Sequence, residues 1–266
     1  MPPLPQLTPE DLAILRGART LLENPGLAAK ATNLLGAPIE KGFDALPANW
    51  REKVTLATEA ALTKALAVAV RTMTDGKAEP PNDRWHMLAV GVSGALGGAA
   101  GLAALPLELP ISTTIMLRSI ADIARSEGAN VRDVATGLAC MEVFAMGGRT
   151  ADDDAANSAY FATRTMLARS VTEAAEFIAE KGLTEAGAPA IARLIATLAS
   201  RFGITVSEKA AAQAVPIIGA AGGALLNTLF MDHFQNMAHG HFTVLRLERK
   251  YGAEAVRLAY ETTPTT

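Results

Sequence analysis

Gly91-Val92-Ser93-Gly94-Ala95-Leu96-Gly97-Gly98-Ala99-Ala100-Gly101-Leu102-Ala103-Ala104 is the stretch on which the fold turns. It lies inside residues 87–107, where no side chain carries a charge. Gly94-x-x-x-Gly98 and Gly97-x-x-x-Gly101 allow two helix backbones to approach closely. Glycine costs about 1 kcal/mol per helical position relative to alanine, so a helix this rich in glycine needs tight packing in return. A second uncharged stretch, residues 210–231, repeats the device at Gly219-x-x-x-Gly223. As straight helix each would span about 30 Å, the thickness of a bilayer core. Two expectations follow: a central hairpin buried in a helical bundle, or an element that leans on or enters a membrane. Pro106, Pro216, Glu108, Asn227 and Thr228 interrupt the apolar runs and favour the hairpin over a permanent span.

Composition widens the same reading. Half of the 266 residues are hydrophobic, only 5% are aromatic and 19% are charged, so the apolar content is mostly aliphatic and helix-forming. The net charge is −3, from 24 basic and 27 acidic residues, with no basic stripe. That excludes a nucleic-acid partner. Cys140 is the single cysteine and sits in an apolar run, where a buried, unreactive thiol is expected. Met1-Pro2-Pro3-Leu4-Pro5 lacks the charged start and apolar core of a signal peptide. The expected location is cytoplasmic, at the inner face of the cell membrane if the apolar segments meet lipid.

Working outward, helix punctuation recurs along the chain. Thr8-Pro9-Glu10-Asp11 reads as a capped helix start, and Asn24-Pro25-Gly26 as its end. A second helical piece covers about 27–45, kinked at Pro38. A third opens at Pro47-Ala48-Asn49-Trp50 and closes at Asp75-Gly76. The Pro106–Pro110 segment reads as a turn before a helix from Ser112 to Ser126, ended by Glu127-Gly128. Helices follow over Arg132–Met146, from the acidic Asp152-Asp153-Asp154 to Lys181-Gly182, and over about 188–202. Ser207 then starts a short piece running into Pro216. The polar stretch Asp232–His241 precedes two last helices, about 242–251 and 253–261, divided by Gly252. No run alternates as a strand does. The expected fold is all-α, a compact bundle of about ten helices built around the two Gly/Ala-rich segments.

A few polar residues stand in apolar surroundings. Arg118 and Asp122 are four apart on one helix face. Glu142 interrupts Ala139-Cys140-Met141-Glu142-Val143-Phe144 and needs a partner if buried, for which Arg118 is the candidate and Glu108 the competitor. Thr228, Asp232, Gln235 and His239 follow 4, 3, 4 spacing on one face, with His233 beside them. A structural ion-pair network is one reading of Glu108, Arg118, Asp122, Glu142, Asp232, His233, Gln235 and His239; a ligand- or metal-binding centre is the other. The spacing matches neither His-Glu-x-x-His nor the Glu-x-x-His of di-iron bundles, so no metal is assigned. No serine-hydrolase elbow, dinucleotide fingerprint or phosphate loop is present. The residues name no catalytic group and no cofactor.

Several separated blocks are similar to one known family. Leu105-Pro106-Leu107-Glu108-Leu109-Pro110-Ile111-Ser112-Thr113-Thr114 and Met116-Leu117-Arg118-Ser119-Ile120-Ala121 resemble the EcsC protein family. So do Cys140-Met141-Glu142-Val143-Phe144, Val215-Pro216-Ile217-Ile218-Gly219-Ala220 and Asn227-Thr228-Leu229-Phe230-Met231-Asp232-His233-Phe234. The resemblance divides the chain into an N-terminal helical extension, 1–45, and an EcsC-like helical domain, 46–262. That family takes its name from a bacterial operon that also encodes the parts of an ABC transporter. The resemblance therefore implies a hydrophobic helical protein, an accessory factor for ABC transport or envelope maintenance, with a membrane surface or a membrane transporter as partner. It carries over no catalytic residue. Gly94, Gly97, Gly98, Gly101, Gly219 and Gly223 would then pack helices together or against lipid. A homo-oligomer that buries these glycine surfaces is the remaining expectation.

Overall fold

The computed structural model describes residues 5–23, 40–44, 46–71, 105–148, 158–182, 188–214 and 219–262. Among them lie nine helices and no strand: α1 Pro9–Leu22, α2 Glu40–Asp44, α3 Trp50–Arg71, α4 Leu105–Ser126, α5 Val134–Met146, α6 Ala159–Lys181, α7 Pro189–Ala214, α8 Gly219–Tyr251 and α9 Ala253–Thr262. The all-α bundle read from the sequence is the fold. Gly94, Gly97, Gly98 and Gly101 lie outside the described residues, as do Asp75-Gly76, Asp152–Asp154 and Pro216.

Several helix ends form as their residues require. The Thr8 hydroxyl accepts from the Asp11 backbone N–H, with Pro9 in the first turn. Ser158 caps α6 in the same way, accepting from Phe161 N. Gly182 and Gly252 stop α6 and α8 at φ 67° and 87°, a left-handed backbone that glycine adopts without steric cost.

Three elements are longer than the sequence suggests. Helix α4 begins at Leu105, so Pro106–Pro110 is not a turn. Pro106 falls in the first turn, where its missing N–H has no helical partner to lose. Pro110 forfeits one bond, while the Thr114 hydroxyl donates to its carbonyl at 2.7 Å. Helix α7 runs unbroken through Ser200–Ser207, because Leu194, Leu198, Phe202, Val206 and Ala210 keep one apolar stripe in phase. Helix α8 absorbs the polar stretch Asp232–His241, since Phe230, Phe234, Met237, Ala238 and Phe242 continue its buried face. Within the uncharged residues 210–231, residues 210–214 end α7 and residues 219–231 begin α8. Gly219 and Gly223 sit in the first turns of α8.

The 33-residue α8 is the axis of the bundle. Helix α4 runs parallel to it, joined by three polar rungs: Glu108 with Asn227, Ser119 with Gln235, and Glu127 with Arg246. The near-constant separation along the chain fixes the register. Helix α1 runs antiparallel along the C-terminal half: Gly240 brings the α8 backbone against Ala18 and Leu22, and Asp11 accepts from Lys250 and Tyr251. Helix α6 meets the same half through Tyr160 and Arg164, while α3, α5 and α7 pack on one another and complete the core. At its centre the rings of Phe144, Phe202, Phe230 and Phe234 touch at centroid distances of 5.1–6.0 Å.

Candidate functional site

The polar residues sort into two centres at opposite ends of α8. The first forms where the N-terminal ends of α4 and α8 meet the C-terminal end of α7. Lys209 donates to Glu108 at 2.6 Å, and Asn227 donates to the same Glu108 oxygen at 2.8 Å. Lys209 and Asn227 are fully buried and Glu108 almost so. The ammonium also stands 4.8 Å from the centre of the Phe230 ring. Burial lowers the Lys209 pKa, and Glu108 counters that loss. Two charges taken out of water cost several kcal/mol each, so the pair holds only because the partners are correctly placed. It clamps three helices in register. Beside it, the surface is apolar: Leu107 is 78% exposed and Ile111 50%, one turn apart on α4, with Leu225 45% exposed on α8.

The second centre lies about 20–30 Å away, taking 1.5 Å per residue along α8 from Asn227 to His241 and Glu248. Arg164 of α6 grips Glu248 with both terminal guanidinium nitrogens, Nη1 and Nη2 donating to the two carboxylate oxygens at 2.7 and 3.1 Å. Its Nη1 also reaches the Tyr160 hydroxyl at 3.4 Å, and Tyr160 pairs with Nδ1 of His241 at 3.0 Å. Burial holds the His241 imidazole neutral and pushes the Tyr160 phenol up. Tyr160 stacks on Tyr260, whose hydroxyl donates to Glu23, and Arg19 donates to the Tyr260 carbonyl. One network thus ties α1, α6, α8 and α9. A surface cleft of about 400 Å³ opens over it, lined by Phe161, Arg164, Thr165, Glu248, Glu254 and Arg257 among others.

The eight residues singled out from the sequence divide between these centres and the surface. Glu108 anchors the first. Glu142 is half-buried on α5; burial raises its carboxyl pKa to about 7, the charge of Arg164 opposing the rise and that of Glu248 adding to it. Arg118 is exposed on α4 and is not the partner of either carboxylate; Lys209 pairs with Glu108 instead. Asp122 is half-buried and paired with Arg125 at 2.7 Å. Asp232 accepts from Asn236, one turn on, at 3.1 Å. Gln235 is buried and donates to Ser119, and His233 is buried against Phe234 and Gly147. His239 is half-buried. Among the described residues no three His, Cys, Asp or Glu side chains converge on a position that would hold a metal ion. The common carboxylate–histidine cavity expected under the metal reading is not formed there. Cys140 is buried, and burial raises its thiol pKa, which keeps it protonated and unreactive.

Lys209 and Arg164 carry both centres and were not singled out from the sequence. Lys209 had a legible signal: it falls on the stripe Leu194, Leu198, Phe202, Thr205, Lys209, spaced as buried positions are. Arg164 lies one turn after Tyr160, and nothing in the local sequence marks it as paired across to Glu248.

Among the described residues one helix, Pro189–Ala214, is long and apolar enough to cross a membrane, and 44% of its most apolar stretch is buried inside the protein. The family profile described as EcsC protein family matches residues 19–247. No curated protein and no solved structure matches the chain.

Proposed function

Since the chain belongs to the EcsC protein family, we propose that it is a membrane-associated helical protein, peripheral or partly inserted, serving as an accessory factor for ABC transport or envelope maintenance. The observation that carries the reading is the apolar end of the bundle. Leu107, Ile111 and Leu225 face outward there, around the buried Glu108–Lys209–Asn227 clamp. Large exposed aliphatic side chains close together are costly in water and favourable at the acyl boundary of a lipid surface. Residues 210–214 of the second uncharged stretch end α7 and residues 224–231 lie near the start of α8 at this same end, and Leu105, Pro106 and Leu107 of the first open α4 there. The clamp keeps the charges behind this surface neutralised, so contact with lipid requires no further charge burial.

The sole cysteine is buried, which makes a site-specific test direct. In Leu107→Cys, an environment-sensitive fluorophore should attach only at position 107. On adding vesicles of phosphatidylethanolamine and phosphatidylglycerol, its emission should shift to the blue and gain several-fold in intensity. The same label in Leu258→Cys, on an exposed site of α9 at the far end, should report no change. A response at 258 and none at 107 overturns the proposed orientation; no response at either removes the lipid reading.

A further inference from the structure

A groove of about 490 Å³ runs between α3 and α7 and belongs to neither polar centre. That volume falls within the roughly 300–1,000 Å³ of small-molecule sites. Helix α3 supplies Trp50 and Val54, and α7 supplies small side chains, Ala196, Ala199 and Gly203, with Ile204 beside them. Three hydroxyls also line it, and each is engaged by its own helix. Thr55 donates to the Arg51 carbonyl, Ser200 to that of Thr197 and Ser207 to that of Gly203, at 2.6–3.0 Å. They offer a ligand no proton, so the walls are more apolar than their residue types suggest. Gly203 gives the groove its width. Its φ is not left-handed, and a Cβ there would meet nothing within 4 Å. Glycine is the poorest helix former after proline, so the position gives up helix propensity without gaining a close contact. What the absent side chain leaves is open groove.

Two exposed charges of opposite sign, Arg51 and Glu59, stand at its ends. Among the described residues neither side chain has a hydrogen-bond or ion-pair partner; the Arg51 guanidinium lies 5.5 Å from the centre of the Trp50 ring. Trp50 in turn lies 5.6 Å from Phe43, which packs on Ala211 and Ala212. The Arg51 end is therefore the one beside the C-terminal end of α7, and Glu59 stands about two turns further along α3. From Ala196 to Ser207 the α7 wall covers about 16 Å at 1.5 Å per residue, the reach of an extended chain of about twelve carbons.

We propose that this groove binds a fatty acid, its carboxylate at Arg51 and its unbranched tail running past Gly203 and Ala199 towards Ala196. The charges set the direction: the carboxylate is drawn to the guanidinium, whose paired N–H groups match its two oxygens, and is repelled by Glu59. Burial of the tail supplies the affinity. The cleft over the second centre is the contrast. Arg164, Glu248, Glu254 and Arg257 line it, and an alkyl chain there would strip water from charges.

Calorimetric titration with dodecanoate, kept below its micelle concentration, tests the assignment. Wild type should bind one dodecanoate per chain. Affinity should climb about fourfold per methylene from octanoate to dodecanoate and level off in longer acids, whose added carbons pass the end of the groove. Gly203→Leu improves helix propensity and should fold at least as well, but it places a side chain in the path of the tail. Excluding about three methylenes should weaken binding on the order of 50-fold. Arg51→Gln, on an exposed side chain, should weaken dodecanoate several-fold and leave dodecanol unchanged. No binding to wild type, or binding that Gly203→Leu leaves untouched, overturns the proposal. Equal losses of acid and alcohol in Arg51→Gln overturn it as well, because the head would then not be read by charge. Self-association that Gly203→Leu abolishes, with no dodecanoate bound, would give the groove to a second copy of the chain instead. No vesicle enters the titration, so failure here is distinct from failure of the membrane reading.

Discussion

Replacing Lys209 by methionine is expected to cost about 3–5 kcal/mol of stability, because it leaves the Glu108 carboxylate buried without its cation. The expectation rests on burial as much as on contact. Lys209 and Asn227 are sealed from solvent, and the two bonds to Glu108, 2.6 and 2.8 Å long, come from two different helices. An exposed ion pair such as Arg257–Glu261 should contribute less than about 1 kcal/mol by the same measurement. The paired variant Glu108→Met/Lys209→Met separates charge imbalance from lost packing. With both charges gone, most of the loss should be recovered, leaving about 1–3 kcal/mol for the Asn227 amide that loses its acceptor. Urea unfolding of the two single variants and the double variant reads these contributions directly. Equal losses in Lys209→Met and in the double variant would show that packing rather than charge governs the site.

Phe234→Ala should be comparably damaging, at about 3–5 kcal/mol, because a large cavity opens where three other rings converge. Phe234 has its ring centroid 5.4 Å from Phe144, 5.5 Å from Phe202 and 5.2 Å from Phe230, and the residue is fully buried. Phe144 and Phe202 belong to α5 and α7 and Phe230 to α8 itself, so the substitution weakens the packing of α8 on two neighbouring helices at once. Edge-to-face geometry adds about 0.5–1.5 kcal/mol per aromatic pair beyond area burial, which places this site at the upper end of core substitutions. The exposed Leu258→Ala on α9 should stay within about 0.5 kcal/mol of wild type and serves as the comparison. Thermal or urea unfolding distinguishes the two.

The local grammar of the chain was legible where the deciding interaction is itself local. Thr8 as a cap and Gly182 and Gly252 as helix stops need only neighbouring residues, and each forms as read. Glu108 stood out as a charge in an apolar run, and it is buried. Lys209 is legible as a buried position but not as the partner of Glu108. Lys209 lies 101 residues further along the chain and reaches Glu108 only because α4, α7 and α8 converge. The same holds for Arg164 and Glu248, 84 residues apart. Arg118 is the partner expected for Glu142, with Glu108 competing for it, but helical phase turns Arg118 outward while Glu108 and Ser112 turn inward. Polar residues at Asp232–His241 suggested a break in α8. The buried face of Phe230, Phe234, Met237 and Phe242 carries the helix through, since tertiary packing outweighs the propensity of a few polar positions.

Under the proposed function, lipid meets the bundle through the aliphatic side chains of Leu107, Ile111 and Leu225, with the Glu108–Lys209 charges neutralised beneath. Flotation of detergent-free protein with phosphatidylethanolamine–phosphatidylglycerol vesicles, at low salt and again in 1 M salt, tests that statement most directly. Charge-driven binding is screened at that ionic strength, where the Debye length is about 3 Å, whereas apolar contact is not. The protein should float at both salt concentrations. Flotation lost in high salt, or absent at both, would contradict an apolar contact with the membrane.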